Sequence, residues 1–223
     1  MEKPGFKDAT RAQASLLAPL EKKCLIWFAR HMPAWINSDH LTIIGIMGML
    51  LAGVSYWLAR WNRNALLLAI FFLAVNWFGD SMDGTLARVR QKLRPRYGFY
   101  VDHVVDAFGQ FFLLGGLGLS GYMSPWVAMG FLIVFYVLSI EVYLATYCLG
   151  TFHLSHWKLS PTELRVLLAI GNIALFYHPR VTIAGGRYLL FDVGGVAGMV
   201  GMTLMLLVAV WRHTRTLYRE EPV

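Results

Sequence analysis

Charge is what this sequence has least of. Only 15% of its 223 residues are Asp, Glu, Lys or Arg, against roughly 25% in soluble domains, so a chain folded in water around an ordinary core is excluded. Cysteine is nearly absent as well. Cys24 and Cys148 are too few for a disulfide framework or a thiolate metal site, and they leave the redox compartment open. Acids number 13 against 20 basic residues, a formal charge of +7. In a chain with a mean hydropathy of +0.52, that excess points to the anionic face of a membrane rather than to nucleic acid. The same hydropathy excludes a disordered or fibrous chain. No repeat, low-complexity run or second domain is visible. The N-terminal region lacks the unbroken apolar core of a signal peptide, because Glu21, Lys22 and Lys23 interrupt it.

What is present is a set of six apolar stretches, at about residues 41–59, 65–87, 98–119, 125–148, 162–177 and 188–211. Each is long enough, or nearly so, for the roughly 20 residues that cross a bilayer as helix. The expectation is an all-α polytopic membrane protein forming a single membrane domain over 1–223: a cytoplasmic or interfacial N-terminal region at 1–40, six transmembrane helices over 41–211, and a cytoplasmic tail at 212–223. The fifth stretch follows Ser160-Pro161 and opens Thr-Glu-Leu-Arg, so its first polar turn belongs inside the protein or at the interface.

Basic residues set the sides. Six in the N-terminal region, five from Arg88 to Arg96, Lys158 with Arg165, and three in the tail make sixteen on one side, against Arg60, Arg63, Arg180 and Arg187 on the other. The positive-inside rule then places both termini in the cytoplasm. Ahead of the first span, Leu17, Leu20, Cys24, Phe28 and His31 fall at helical spacing with Lys22, Lys23 and Arg30 elsewhere around the axis. That is the pattern of an amphipathic helix lying in the interface. Packing on a cytoplasmic domain is the alternative, with little soluble mass to pack on.

Within this apolar frame the carboxylates are out of place. Asp80, Asp83, Asp102, Asp106 and Glu141 fall within or at the ends of spans, where an unpaired charge costs several kcal/mol. On the second span, Asp80, Asp83, Gly84, Ala87 and Arg88 stand at i, i+3, i+4, i+7 and i+8; on the third, Gly98, Asp102 and Asp106 repeat every four residues. Each set occupies one helix face. Two such faces, if they meet, bring four carboxylates into one volume. With no Cys and a single neighbouring His103, this is a hard oxygen set suited to Mg²⁺ or Mn²⁺ rather than zinc or copper. Without a cation the four like charges would not all ionise together. Gly84 and Ala87 remove bulk beside the acids, and Arg88, Arg90, Lys92, Arg94 and Arg96 offer donors for phosphate oxygens at the cytoplasmic mouth. Together they point to a diphosphate. Simple ion pairs tying helices would account for any one of these residues. They do not account for eight fixed residue types in one spacing, which chance produces on the order of once in ten million such chains.

These residues, Asp80-Ser-Met-Asp83-Gly84-Thr-Leu-Ala87-Arg88 and Gly98-Phe-Tyr-Val-Asp102-His-Val-Val-Asp106, resemble the signature of the CDP-alcohol phosphotransferase family. The resemblance implies six transmembrane helices, usually a homodimer, and two divalent ions held by Asp80, Asp83, Asp102 and Asp106. It implies a reaction of phospholipid synthesis in which an alcohol attacks the phosphorus of a CDP-linked donor and releases CMP. Arg88 would bind phosphate oxygens, and Gly84, Ala87 and Gly98 would line the nucleotide groove. One departure stands in the link: nine residues separate Arg88 from Gly98, where the family usually has about eight, and the extra one lies near Pro95. Asp102-His103, Tyr147-Cys-Leu-Gly150-Thr-Phe and Pro161-Thr162-Glu163 are weakly similar to the choline/ethanolamine phosphotransferase branch. Donor and acceptor therefore stay open between CDP-diacylglycerol with a polar alcohol and a CDP-amino-alcohol with diacylglycerol.

A hydroxyl nucleophile needs a group to take its proton. Asp106, one turn deeper on the face of Gly98 and Asp102, is the expected base; His103, rotated about 100° from Asp102, competes because its ordinary pKa suits the task better. Glu141 shares a span with Tyr136, Tyr143 and Tyr147. It is expected to pair with Arg165 or a hydroxyl, with an ammonium cradle among the rings as the alternative. Glu163 reads as a charge at a helix N-terminus, His153 and His156 as interfacial, and His178 and Arg180 as lying on the opposite side. The rival function is a cation transporter or channel, which predicts acids spread through the membrane depth rather than gathered at one end. Prenyl transfer would show a different aspartate spacing.

Overall fold

Local chemistry sets most of the helix boundaries in the computed structural model, which describes residues 18–149 and 161–221. Helix α1 covers Ala18–His31 and α2 Ser38–Ala59. The latter starts at Asn37, whose side chain accepts from the His40 amide at 3.1 Å while the His40 ring accepts from the Asn37 amide at 3.2 Å. This reciprocal cap satisfies two donors that the first turn would otherwise leave bare. Helix α3 covers Ala65–Val89 and α4 Pro95–Ser120; α4 has proline in its first turn and stops at Gly121, which adopts φ +80°. Helices α5 (Pro125–Leu149) and α6 (Pro161–Tyr177) also open on proline. A hairpin of β1 (Arg180–Ile183) and β2 (Gly186–Leu189) leads into α7 (Leu190–Glu220).

Each of the six expected apolar stretches is thus a helix. The largest difference is at the end of the last one, which continues to Glu220, so the expected tail at 212–223 is a helical extension as far as it is described. No helix breaker occurs before Pro222. The hairpin has no counterpart in the sequence reading. Its two-residue loop, Ala184-Gly185, takes left-handed φ values of 48° and 82°, the requirement of a tight primed turn. Among the described residues, four helices, α2, α3, α5 and α7, are long and apolar enough to cross a membrane. Helix α4 carries Asp102, His103, Asp106 and Gln110, and α6 has only 17 residues with Glu163 and Arg165 in its first turns.

Small residues allow the closest helix contacts. A Cβ added to Gly79 of α3 would lie 2.5 Å from the Gly45 amide nitrogen and 2.6 Å from the Leu41 carbonyl oxygen of α2. One added to Gly116 of α4 would lie 2.0 Å from the Gly53 carbonyl oxygen. Helix α2 therefore touches α3 and α4 backbone to backbone, the mode by which apolar helices pack where no water drives association. On the other side α5 runs along α7, with Gly195 and Gly198 facing Val127 and Phe131, and Tyr136 donates to the Ala107 carbonyl of α4 at 3.0 Å. A buried bond from Asn172 of α6 to the Tyr56 hydroxyl of α2, 2.7 Å long, joins those helices at the end remote from the acids. Ile133, Ile140, Leu204 and Leu207 stay largely exposed. An apolar exterior this extensive fits lipid rather than water.

Helix α1 packs with a stripe one position away from the expected one. Leu25 and Ala29 are buried against Met82 and Leu86 of α3, and Glu21 accepts from Trp77 Nε1 at 2.9 Å, Ser81 Oγ at 3.2 Å and Thr162 Oγ1 at 3.1 Å. Three donors make Glu21 an inward residue despite its charge. Cys24, Phe28 and His31 of the expected stripe are exposed; Leu17 and the side chain of Leu20 lie outside the described residues.

Candidate active site

Polar side chains collect at one end of the bundle, where α2, α4 and α6 begin and α3 finishes. Asp83 is the buried member of the cluster, 8% exposed. Its Oδ2 accepts from Thr42 Oγ1 of α2 at 2.7 Å and its Oδ1 from the Gly84 amide at 2.5 Å. Asp80, on the preceding turn, and Asp102, across on α4, both lie within electrostatic reach of Asp83. Two of the other three expected acids thus lie within electrostatic reach of Asp83, one on its own helix and one on α4. Asp102 is half-buried, while Asp80 and Asp106 are exposed. Asp106 acts electrostatically on Tyr143 of α5, whose hydroxyl bonds Ser139.

His103 lies in different surroundings. Its Nδ1 is 2.5 Å from the Phe99 carbonyl oxygen; a carbonyl only accepts, so Nδ1 is the donor. The ring packs on Phe99 at 4.1 Å and edge-on to Tyr143 at 4.7 Å. With Tyr100, Val104, Ala107 and Phe108 these residues line an apolar cleft of about 460 Å³.

The basic link divides. Arg88 folds back along α3 and donates from Nε to the Gly84 carbonyl at 3.0 Å. A Cβ on Gly84 would sit 3.3 Å from the Arg88 guanidinium, so the glycine makes room for that fold. Arg90, expected at the phosphate mouth, is instead committed to structure. It donates to the carbonyls of Met32 and Pro33, each at 2.9 Å, and to that of Ile36, satisfying acceptors just beyond the end of α1 that lack helical partners. Arg94 forms an ion pair with Asp39 at the start of α2. Lys92 and Arg96 are exposed. The link between α3 and α4 turns at Gln91, which adopts φ 54°. Gly98 follows in the first turn of α4, with open space where a side chain would be. Ala87 is half-buried on the face of Asp83 and Gly84.

The expected pairing of Glu141 is corrected. Glu141 does not pair with Arg165; its Oε1 accepts from His213 Nδ1 of α7 at 2.6 Å. Arg165 instead reaches α3, donating from Nη2 to Asp80 Oδ2 at 2.7 Å and from Nε to Asn76 Oδ1 at 2.8 Å. The physical reason is the packing: α5 lies along α7, and α6 along α3. Glu163 stands in the first turn of α6, as its charge at a helix N-terminus requires. Gly150, Thr151, Phe152, His153, His156 and Lys158 lie outside the described residues.

Thr42, Asn76 and Arg165 were not singled out as site residues from sequence. Asn76 had a signal, because it extends the Asp80–Asp83–Ala87 stripe by one turn. Thr42 looks like any hydroxyl at the start of a span, and only packing reveals it.

The oxygen-only donor set, with buried Asp83 among like charges, fits a hard divalent cation. Among the described residues no three His, Cys, Asp or Glu side chains stand together as a finished metal site; Asp83 and Asp80 are engaged by Thr42, Gly84 and Arg165.

Residues 35–211, which hold every one of these acids, match the family model for CDP-alcohol phosphatidyltransferase. The chain belongs to this family. Its expected motif residues thus lie within a segment that matches a family of transferases, in a mainly helical protein with several membrane-length helices. Among curated proteins, the archaetidylinositol phosphate synthase of Pyrococcus horikoshii is 35% identical over 104 residues, 47% of this chain and 52% of that protein. The match spans about half the length of that relative.

Proposed function

We propose that this CDP-alcohol phosphatidyltransferase family member is an integral-membrane enzyme of phospholipid synthesis, moving a phosphatidyl-type group from a CDP-linked lipid to a polar alcohol with release of CMP. The observation that carries the reading is the cluster of Asp83, Asp80 and Asp102 built from α3 and α4 within the segment that matches the family. In the same proposal α4 and α6 complete six spans, α1 lies in the interface, both termini and the acids face the cytoplasm, and two chains form a homodimer. Two points support this direction of transfer. The partial relative is named for an archaetidylinositol phosphate product, and one oxygen of Glu141, the candidate ammonium cradle, is paired with His213.

Asp80, Asp83, Asp102 and Asp106 would hold two divalent ions, Mg²⁺ or Mn²⁺. When bound, these supply charge neutralisation on the diphosphate and on the departing CMP. The chain's own groups do the remainder. Thr42 and the Gly84 amide fix Asp83 in one orientation. Arg88, exposed beside Gly84, gives phosphate oxygens a charged donor, and the open space at Gly98 leaves room for the nucleotide along the half-buried Ala87. The acceptor hydroxyl attacks phosphorus as Asp106 takes its proton; the new oxygen–phosphorus bond forms as the bond to CMP breaks, and CMP carries away the electron pair. His103, held by the Phe99 carbonyl, orients the incoming alcohol.

The test is CMP release by the purified full chain with CDP-activated lipids against a panel of polar alcohols that includes inositol phosphate, with and without EDTA. Release with a lipid donor that is lost in EDTA, and lost again in Asp83→Asn, is the expected result. Release only with CDP-choline and diacylglycerol would reverse the direction. Metal-dependent cation flux in liposomes without CMP release would favour a channel.

A further inference from the structure

Arg165 enters the acidic cluster from α6 and is held there on two sides. Its Nη2 donates to Asp80 Oδ2 at 2.7 Å and its Nε to Asn76 Oδ1 at 2.8 Å. Asn76 is itself buried and donates to the Gly45 carbonyl of α2 at 3.0 Å, so the guanidinium is aimed by a group already fixed to a third helix. The Arg165 side chain is 17% exposed. A planar fork this constrained keeps its position, unlike the loose ion pairs of a solvated surface.

We infer that Arg165 is a tethered counter-cation that competes with a divalent ion for Asp80. The inference rests on the reading of Asp80 as a metal ligand and adds to it. Asp80 and Asp102 both act electrostatically on Asp83, in a setting where uncompensated charge is expensive. Before any ion arrives, the guanidinium offsets part of that repulsion through Asp80. Loading the ion on Asp80 then requires the fork to open. If the pair is closed about nine-tenths of the time, the ion finds Asp80 available about one-tenth of the time and its apparent affinity is about tenfold weaker than intrinsic. The same competition keeps a weakly charged ligand from displacing Arg165, because only a divalent charge replaces what the guanidinium provides.

The experiment measures Mn²⁺ binding to the full chain in detergent by electron paramagnetic resonance, together with thermal unfolding in EDTA and in saturating Mn²⁺. In Arg165→Gln the apparent dissociation constant for Mn²⁺ falls about tenfold, the unfolding temperature in EDTA drops, and the rise on adding Mn²⁺ exceeds that of the wild-type chain. In an Asp80→Asn background the same substitution changes Mn²⁺ affinity by less than about twofold, because the competition acts through Asp80. Should Arg165→Gln fail to fold, Arg165→Lys carries the test: lysine keeps the charge but cannot bridge Asn76 and Asp80, and affinity rises by about threefold. Unchanged or weaker Mn²⁺ binding in the folded variant overturns the inference. So does a tenfold gain that persists in Asp80→Asn, which would be a diffuse field effect. Absence of saturable Mn²⁺ binding in the wild-type chain overturns the metal assignment itself, a different result from wild-type binding that is insensitive to Arg165.

Discussion

Gly79→Ala tests how closely the acidic cluster depends on the α2–α3 contact. The added Cβ would stand 2.5, 2.6 and 2.7 Å from three backbone atoms of Gly45 and Leu41, none of which can rotate aside. Restoring an ordinary 3.4 Å contact requires the helices to part by about 0.9 Å. Thr42 and Asp83 lie on these same two helices, one turn from the contact, and their 2.7 Å bond would stretch to about 3.6 Å, past hydrogen-bonding range. Overpacking of this kind costs about 1–3 kcal/mol, and a lost bond to a charged group about 1.5–3 kcal/mol. Alanine's better helix propensity returns only about 0.5–1 kcal/mol. A net loss of about 3 kcal/mol follows, with a fall in turnover of about 10²-fold from misplacing a ligand by roughly 1 Å. The control is Gly45→Ala, whose Cβ would meet its nearest atom, the Asp80 amide nitrogen, at an ordinary 3.4 Å. Denaturant unfolding in detergent and CMP release are measured on both. A Gly79→Ala protein as stable and active as wild type, or a Gly45→Ala protein equally damaged, would refute the geometric reasoning.

Asp106→Asn should lower kcat by about 10²-fold while donor affinity, measured separately, is largely kept, and His103→Ala should cost less; the reverse order would make His103 the base. In a chain with Cys24 and Cys148 replaced by serine, Lys92→Cys and Thr182→Cys should label from opposite sides of the membrane, and labelling from one side removes the cytoplasm-facing site. Gly98→Ala meets no atom within 4 Å and should fold normally. A raised KM for the CDP-linked donor is expected from the lost room, and an unchanged KM would take Gly98 out of the nucleotide groove.

The sequence by itself determined the helices and the chemistry of the site. Apolar length marked the six stretches, proline and glycine marked several of their ends, and a period of 3.6 residues put Asp80, Asp83, Gly84 and Ala87 on one face and Asp102 with Asp106 on another. All of that is local, because a helix fixes the azimuth of every residue along itself. It does not fix which neighbour that face meets. Glu141 and Arg165 looked like partners because both are charges on apolar spans, yet α5 lies along α7 and α6 along α3, so His213 takes the one and Asp80 the other. Arg90 resembled its neighbours in a basic run until the carbonyls following α1 claimed it. Thr42 and Gly79 showed nothing in sequence, since their meaning is a distance to another helix: 2.7 Å to a carboxylate and too little space for one methyl group. Partner choice was decided by which helices pack side by side, and that packing depends on contacts between residues tens of positions apart, which only the folded chain brings together.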